Sequence, residues 1–135
     1  MATVQDNHYQ AVGRRKSAVA RVRLFPGQAQ MTVNGKPISD YFGGPVAQKA
    51  YQRPFELTKT LGKMTGTVKI IGGGPKAQLD ALVHGIAKVL ESADSASHRK
   101  PLKAAGLLTR DARVRERRKF GRAGKARALK SSPKR

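Results

Sequence analysis

Three clusters in this 135-residue chain carry side chains suited to holding phosphate. Gly13-Arg14-Arg15-Lys16-Ser17 sets three cations and a hydroxyl on what reads as an exposed turn, and a guanidinium can meet a phosphate in a bidentate fork. The plainer alternative is a solvated charged turn. Gly72-Gly73-Gly74-Pro75-Lys76 joins a β-branched run to a helical one, with Gln78 in the same first turn. Glycines there allow close backbone approach to a phosphate, and a helix start offers unbonded N–H groups. The alternative is a tight turn that needs positive φ angles. The third cluster is Arg110, Arg113, Arg117, Arg118, Lys119, Arg122, Lys125 and Arg127. There the alternative is a disordered, solubilising tail.

Charge gives these clusters a common direction. The chain has 28 Lys+Arg against 8 Asp+Glu, a formal net charge of +20. Arg99 to Arg135 alone holds 15 Lys+Arg against 2 acids, so +13 of the total, and ends on Ser131-Ser132-Pro133-Lys134-Arg135. Such self-repulsion gains a compact domain nothing. Beside a polyanion it becomes useful, because neutralising phosphates releases condensed counterions. Phe120 is the one aromatic among the tail cations. That argues against a base-stacking platform for single strands and favours a grip on folded RNA.

The elements that must carry these clusters follow from periodicity. Ala18, Ala20, Val22 and Leu24 alternate with Val19, Arg21 and Arg23, a strand with a basic solvent face that ends at Pro26-Gly27. Arg21 thereby joins the candidate phosphate contacts. Met31 and Val33 repeat the alternation before Asn34-Gly35, a strong hairpin signal. Ser39 is expected to cap a short helix over Asp40-Tyr41-Phe42, and Val46 to Gln52 to form a second, stopped at Arg53 by Pro54. Thr67 to Ile71 reads as a strand.

Pro75 suits a first helical position, and Leu79, Leu82, Val83, Ile86 and Leu90 form one apolar stripe of a helix running to Ser92. Lys76, Asp80, His84 and Lys88 line another side. A further helix spans Ser97 to Ala105 and ends at Gly106. Thr109-Arg110-Asp111 is expected to cap a basic helix from Ala112 to Phe120, which would need a partner to be stable. Gly121 and Gly124 make the chain pliable beyond it. The sum is an α+β sandwich, helices on a mostly antiparallel sheet. Residues 1–7 read as a flexible start, 8–106 as the globular domain and 107–135 as a basic tail that orders on RNA.

Other chemistries find little to work with. The chain has no cysteine, so disulfides and thiolate metal sites are excluded, which fits a reducing cytoplasm. His8, His84 and His98 are far apart and lack ligand spacing, so no metal or cofactor is expected. No apolar run approaches a membrane span, and the start lacks a signal-peptide layout. No nucleophile elbow surrounds a serine, and paired carboxylates are scarce, so an enzyme is not expected.

Together the blocks GRRKSAVARVRL, VNGKP followed by YF, PFELTKTLGK, GGGPKAQLDALVHGIAKVL, LKAAGLLTRDARVRERRKFGRAGKAR and the terminal KR resemble the bacterial-type family of small-subunit ribosomal protein nine, from Gly13 to Arg135. The resemblance implies a fold like the second domain of ribosomal protein S five, with a left-handed β-α-β crossover against the usual hand. It implies a non-enzymatic constituent of the small-subunit head, bound to the 3′ major domain of the rRNA beside proteins seven, ten and fourteen, with no self-oligomer. It also implies that Lys134 and Arg135 reach the P-site tRNA anticodon stem-loop.

Two departures from the family pattern stand out. Ala112 replaces the usual proline after Thr109-Arg110-Asp111, and Lys130-Ser131-Ser132-Pro133 replaces the usual Gln-Phe-Ser approach to the last two cations. Two alternatives are weaker. The ribonuclease P protein would need a central basic helix, yet Pro75 to Ser92 carries only Lys76 and Lys88. A small phosphotransferase at the glycine turn would have only Asp80 within reach.

Overall fold

A hairpin begins the fold. Strand β1 (Tyr9–Arg15) runs antiparallel to β2 (Ala18–Pro26), with Gly13 opposite Ala20 and Arg15 opposite Ala18. The computed structural model describes residues 8–128. The alternation read from β2 holds: Ala18, Ala20, Val22 and Leu24 are fully buried, and Arg21 and Arg23 face solvent. β1 was not legible as a strand, because of its inward positions only Tyr9 and Ala11 are apolar, and Gly13 and Arg15 hold the other two.

β3 (Thr32–Val33) and β4 (Lys36–Pro37) form the expected small hairpin about Asn34-Gly35, both at positive φ. Asn34 does more than turn. Its side chain donates to the Ile70 carbonyl at 3.0 Å and accepts from the Ile70 N–H at 2.9 Å, docking the hairpin on β5 (Met64–Ile71). The five strands lie in the order β1-β2-β5-β3-β4, antiparallel except for the parallel pair β3 and β5.

The helices cover one face. α1 (Ile38–Tyr41) starts after Pro37 without a side-chain cap, so Ser39 lies inside it, accepting from the Gln30 side chain at 2.7 Å. α2 (Pro45–Leu57) continues through Pro54 instead of stopping at Arg53. The missing Pro54 N–H forfeits one helical bond, but its ring is fully buried beside buried Phe55, and that burial offsets the loss. Thr58 then closes the end, its hydroxyl donating to the Pro54 carbonyl at 2.9 Å.

α3 (Pro75–Ala93) begins at Pro75 as expected and buries Leu82, Ile86, Val89 and Leu90 completely. α4 (Ser95–Ala104) begins two residues earlier than expected, because the Asp94 side chain accepts from the Ser97 N–H and caps it. The expected helix from Ala112 to Phe120 does not form: residues 109–119 have no regular structure. The Asp111 carboxylate accepts from the Arg113 N–H at 3.0 Å, a local turn that competes with a helical start. No helix among the described residues is long and apolar enough to cross a membrane.

β1 crosses α3 backbone to backbone. A Cβ on Gly13 would fall inside contact distance of the Ala81 carbonyl and the Gly85 N–H, and one on Gly85 would lie 2.7 Å from Val22 Cγ2. Gly13→Ala should therefore lower unfolding free energy by about 1–3 kcal/mol in chemical denaturation, as overpacking does. Gly43→Ala, whose Cβ would meet nothing within 4 Å, should stay within about 0.5 kcal/mol of wild type.

Candidate nucleic-acid interface

The sheet has one covered face and one open face. Side chains alternate along a strand, so the register sets Arg14, Arg21, Arg23 and Lys69 on the open side, all exposed. Arg21 stands directly opposite Lys69. Like charges in that position repel. The strands contain no Asp or Glu to relieve them. Arg21 and Arg14 were expected here. Arg23 shares the basic face read from the alternation of β2, whereas Lys69 was not singled out, because its place beside Arg21 depends on a strand register that no local pattern encodes.

The first cluster is divided between the two faces. Arg14 is exposed, and Lys16 (φ 53) and Ser17 form the exposed turn between β1 and β2. Arg15 points inward, and its side chain is only 14% exposed. It lies 2.9 Å from Asp111 Oδ1 and 3.6 Å from Asp80 Oδ2, and donates to the Arg113 carbonyl at 3.1 Å. Arg15 therefore binds the start of the tail to α3. It is a clamp within the chain, not a cation standing on a turn.

The glycine turn also has internal work. Gly72 and Gly73 take positive φ, and a Cβ on Gly72 would lie 2.5 Å from the Ser17 carbonyl oxygen. Their smallness lets the end of β5 pass against the β1–β2 turn. Gly74 alone is open on the Cβ side. Gln78 is similarly engaged, donating to the Gly72 carbonyl at 3.0 Å and accepting from the Tyr41 hydroxyl at 2.8 Å. Lys76 is exposed in the first turn of α3.

The flank of α3 faces the tail root and β1. His84 Nε2 lies 3.3 Å from the Leu108 carbonyl, and Lys88 donates to the Val12 carbonyl at 3.0 Å. Burial pushes the His84 imidazole below its ordinary value, the Leu108 contact opposing this and the nearby Lys88 and Arg110 charges adding to it. Its Nδ1 is buried with no hydrogen-bond partner. Leu107 and Leu108 pack on the core, so the tail leaves the globular body beyond Leu108.

From there the cations are displayed by turns rather than by a helix. Arg110, Arg117 and Arg118 are exposed, and Arg113 folds back on Asp111 at 2.8 Å. Hydrogen bonds from Arg113 hold the Asp111 carboxyl well below the usual carboxylate range, with Arg15 adding to the effect. Gly121, Ala123 and Gly124 take positive φ, bending the chain so that Arg127 meets Glu116 at 2.6 Å. That pair pulls the Glu116 carboxyl down. Lys119 donates to the Ala126 carbonyl at 3.2 Å, Lys125 is exposed and Arg122 is partly buried. Phe120 stands 99% exposed among them. Lys134 and Arg135 lie outside the described residues.

Comparison with known proteins decides the family. The profile described as "Ribosomal protein S9/S16" matches residues 13–135. The chain is 51% identical over 120 residues to "Small ribosomal subunit protein uS9" of Maridesulfovibrio salexigens, covering 89% of this chain and 91% of that one. The chain belongs to the ribosomal protein S9 family. It is thus a non-enzymatic structural constituent of the small ribosomal subunit, of bacterial type, located on cytoplasmic ribosomes. Membership disposes of the phosphotransferase alternative, and the clamp agrees: Asp80, the acid on which that alternative relied, is engaged by Arg15.

Asp111→Asn should loosen the tail root while leaving the core intact. Amide exchange should rise at Leu107 to Arg113, with little change in the strands. In the wild type the same anchoring should persist as pH falls through the ordinary carboxylate range. Because the folded carboxyl titrates lower than the unfolded one, it lets go only below that range.

Proposed function

We propose that this chain binds small-subunit rRNA in the head of the subunit through two surfaces, the open sheet face and the tail. One observation carries the reading. The exposed cations Arg21, Arg23 and Lys69 share an acid-free face with Arg14 at its β1 edge, while the acids Asp80 and Asp111 are gathered around Arg15 beyond that edge. The exposed cations are left for phosphate, and membership of the ribosomal family supplies the polyanion.

In this reading the 3′ major domain is the RNA partner, with proteins seven, ten and fourteen as neighbours. The tail orders on RNA, since an exposed pair such as Glu116–Arg127 contributes too little in water to do so alone. The parallel pairing of β3 and β5 across a helical connection favours a topology like the second domain of ribosomal protein S five. Lys134 and Arg135 extend the same chemistry to the P-site tRNA.

Two experiments test this reading. The affinity of the full chain for an rRNA head fragment should fall steeply with salt, each duplex phosphate contact adding about −0.9 to the log–log slope. Indifference to salt would contradict it. A chain ending at Pro133 should assemble into subunits normally but release P-site tRNA faster. The loss should be partial, because each charge-assisted contact is worth roughly 1.5–3 kcal/mol. Unchanged tRNA release would refute the tail assignment.

A further inference from the structure

Between the β1 edge, α2, α3 and the tail root lies a cleft of about 430 Å³. That volume is in the range that accepts small ligands, roughly 300–1,000 Å³. Its charged lining is five cations against two carboxylates, and Arg15 already holds both carboxylates, Asp80 and Asp111. Arg14 of β1, Arg53 of α2 and Lys76 of α3 line it too, and none has an acidic partner among the described residues.

Three elements distant in sequence thus bring uncompensated cations to one concavity. Focused charge of one sign in a cleft concentrates counter-ions of the other. His84 forms part of the wall, with its Nδ1 buried and unpartnered. A neutral imidazole there presents either a lone pair or an N–H to nothing, whereas an imidazolium beside an anion would be a donor with an acceptor.

We propose that this cleft is a phosphate site, with Arg53 and Lys76 as its principal ligands, Arg14 at its edge and His84 in its wall. The phosphate it takes is a backbone phosphodiester of the bound RNA. This last point rests on the RNA-binding reading above. The site joins the sheet edge to the tail root, so one strand of RNA backbone passing from one to the other would cross it. The clamp at Arg15 matters to it, because it keeps the Asp80 and Asp111 charges compensated and holds the tail root as one wall.

The test uses the full-length chain, with the His84 imidazole followed by NMR during separate titrations with pyrophosphate and with a duplex rRNA fragment. Both should move the His84 resonances toward the protonated form. In the double variant Arg53→Gln/Lys76→Gln, neither should do so. rRNA affinity should fall roughly tenfold, and the salt slope should shrink by nearly two contacts' worth, about 0.9 each. Both side chains are exposed, and an unchanged denaturation midpoint would confirm that the variant folds.

A His84 signal indifferent to both titrants, or a double variant with unchanged rRNA affinity and slope, would overturn the site. rRNA that binds without moving His84, while pyrophosphate does move it, would overturn the backbone assignment in favour of a free phosphate. If rRNA fails to bind at all while pyrophosphate moves His84, the RNA-binding reading fails and the phosphate site stands.

Discussion

The architecture depends on how closely β1 can lie against α3. Gly13 and Gly85 remove the side chains that would hold strand and helix apart, and the two backbones come into direct contact. Since inward positions on β1 recur every second residue, Arg15 then falls over the flank of α3, within reach of Asp80. The same approach lets Lys88 bond the Val12 carbonyl and sets His84 against the tail at Leu108. A wider spacing would take Arg15 out of reach of Asp80 and break the link it makes between α3 and the tail root. One steric condition therefore positions both the sheet edge and the root of the tail.

The charges are sorted accordingly. Among the described residues five ion pairs engage Asp80, Glu91, Asp111 and Glu116, and none of them lies on the open sheet face. On that face Arg21 and Lys69 confront each other across neighbouring strands. An isolated domain derives no benefit from that arrangement. In the proposed reading RNA phosphates offset that cost within the subunit, so the reason for the sheet's composition lies outside the chain itself.

Much of this was legible in local pattern. The Ala18 to Leu24 alternation, the Asn34-Gly35 turn and the Pro75 helix start all report a residue's immediate neighbours, and all appear in the fold. The failures share a different cause. Pro54 stays within α2 because of what its ring packs against, and β1 was hidden because a glycine and an arginine hold two of its four inward positions. The basic helix expected after Asp111 gives way to side-chain bonds with Arg113 and Arg15. Of the site, the cationic clusters were plain in the sequence. Their division into exposed contacts and an internal clamp was not, since residues 15, 80 and 111 meet only through tertiary contact.

The central claim is that the open sheet face and the α3 start turn toward RNA while α4 does not. Lysine acetylation compared between the free chain and assembled small subunits measures this most directly, because Lys16, Lys69, Lys76, Lys100 and Lys103 are all exposed in the isolated fold. Assembly should protect Lys16, Lys69 and Lys76 and leave Lys100 and Lys103 of α4 reactive. Protection of Lys100 and Lys103 with Lys69 and Lys76 still reactive would contradict the account.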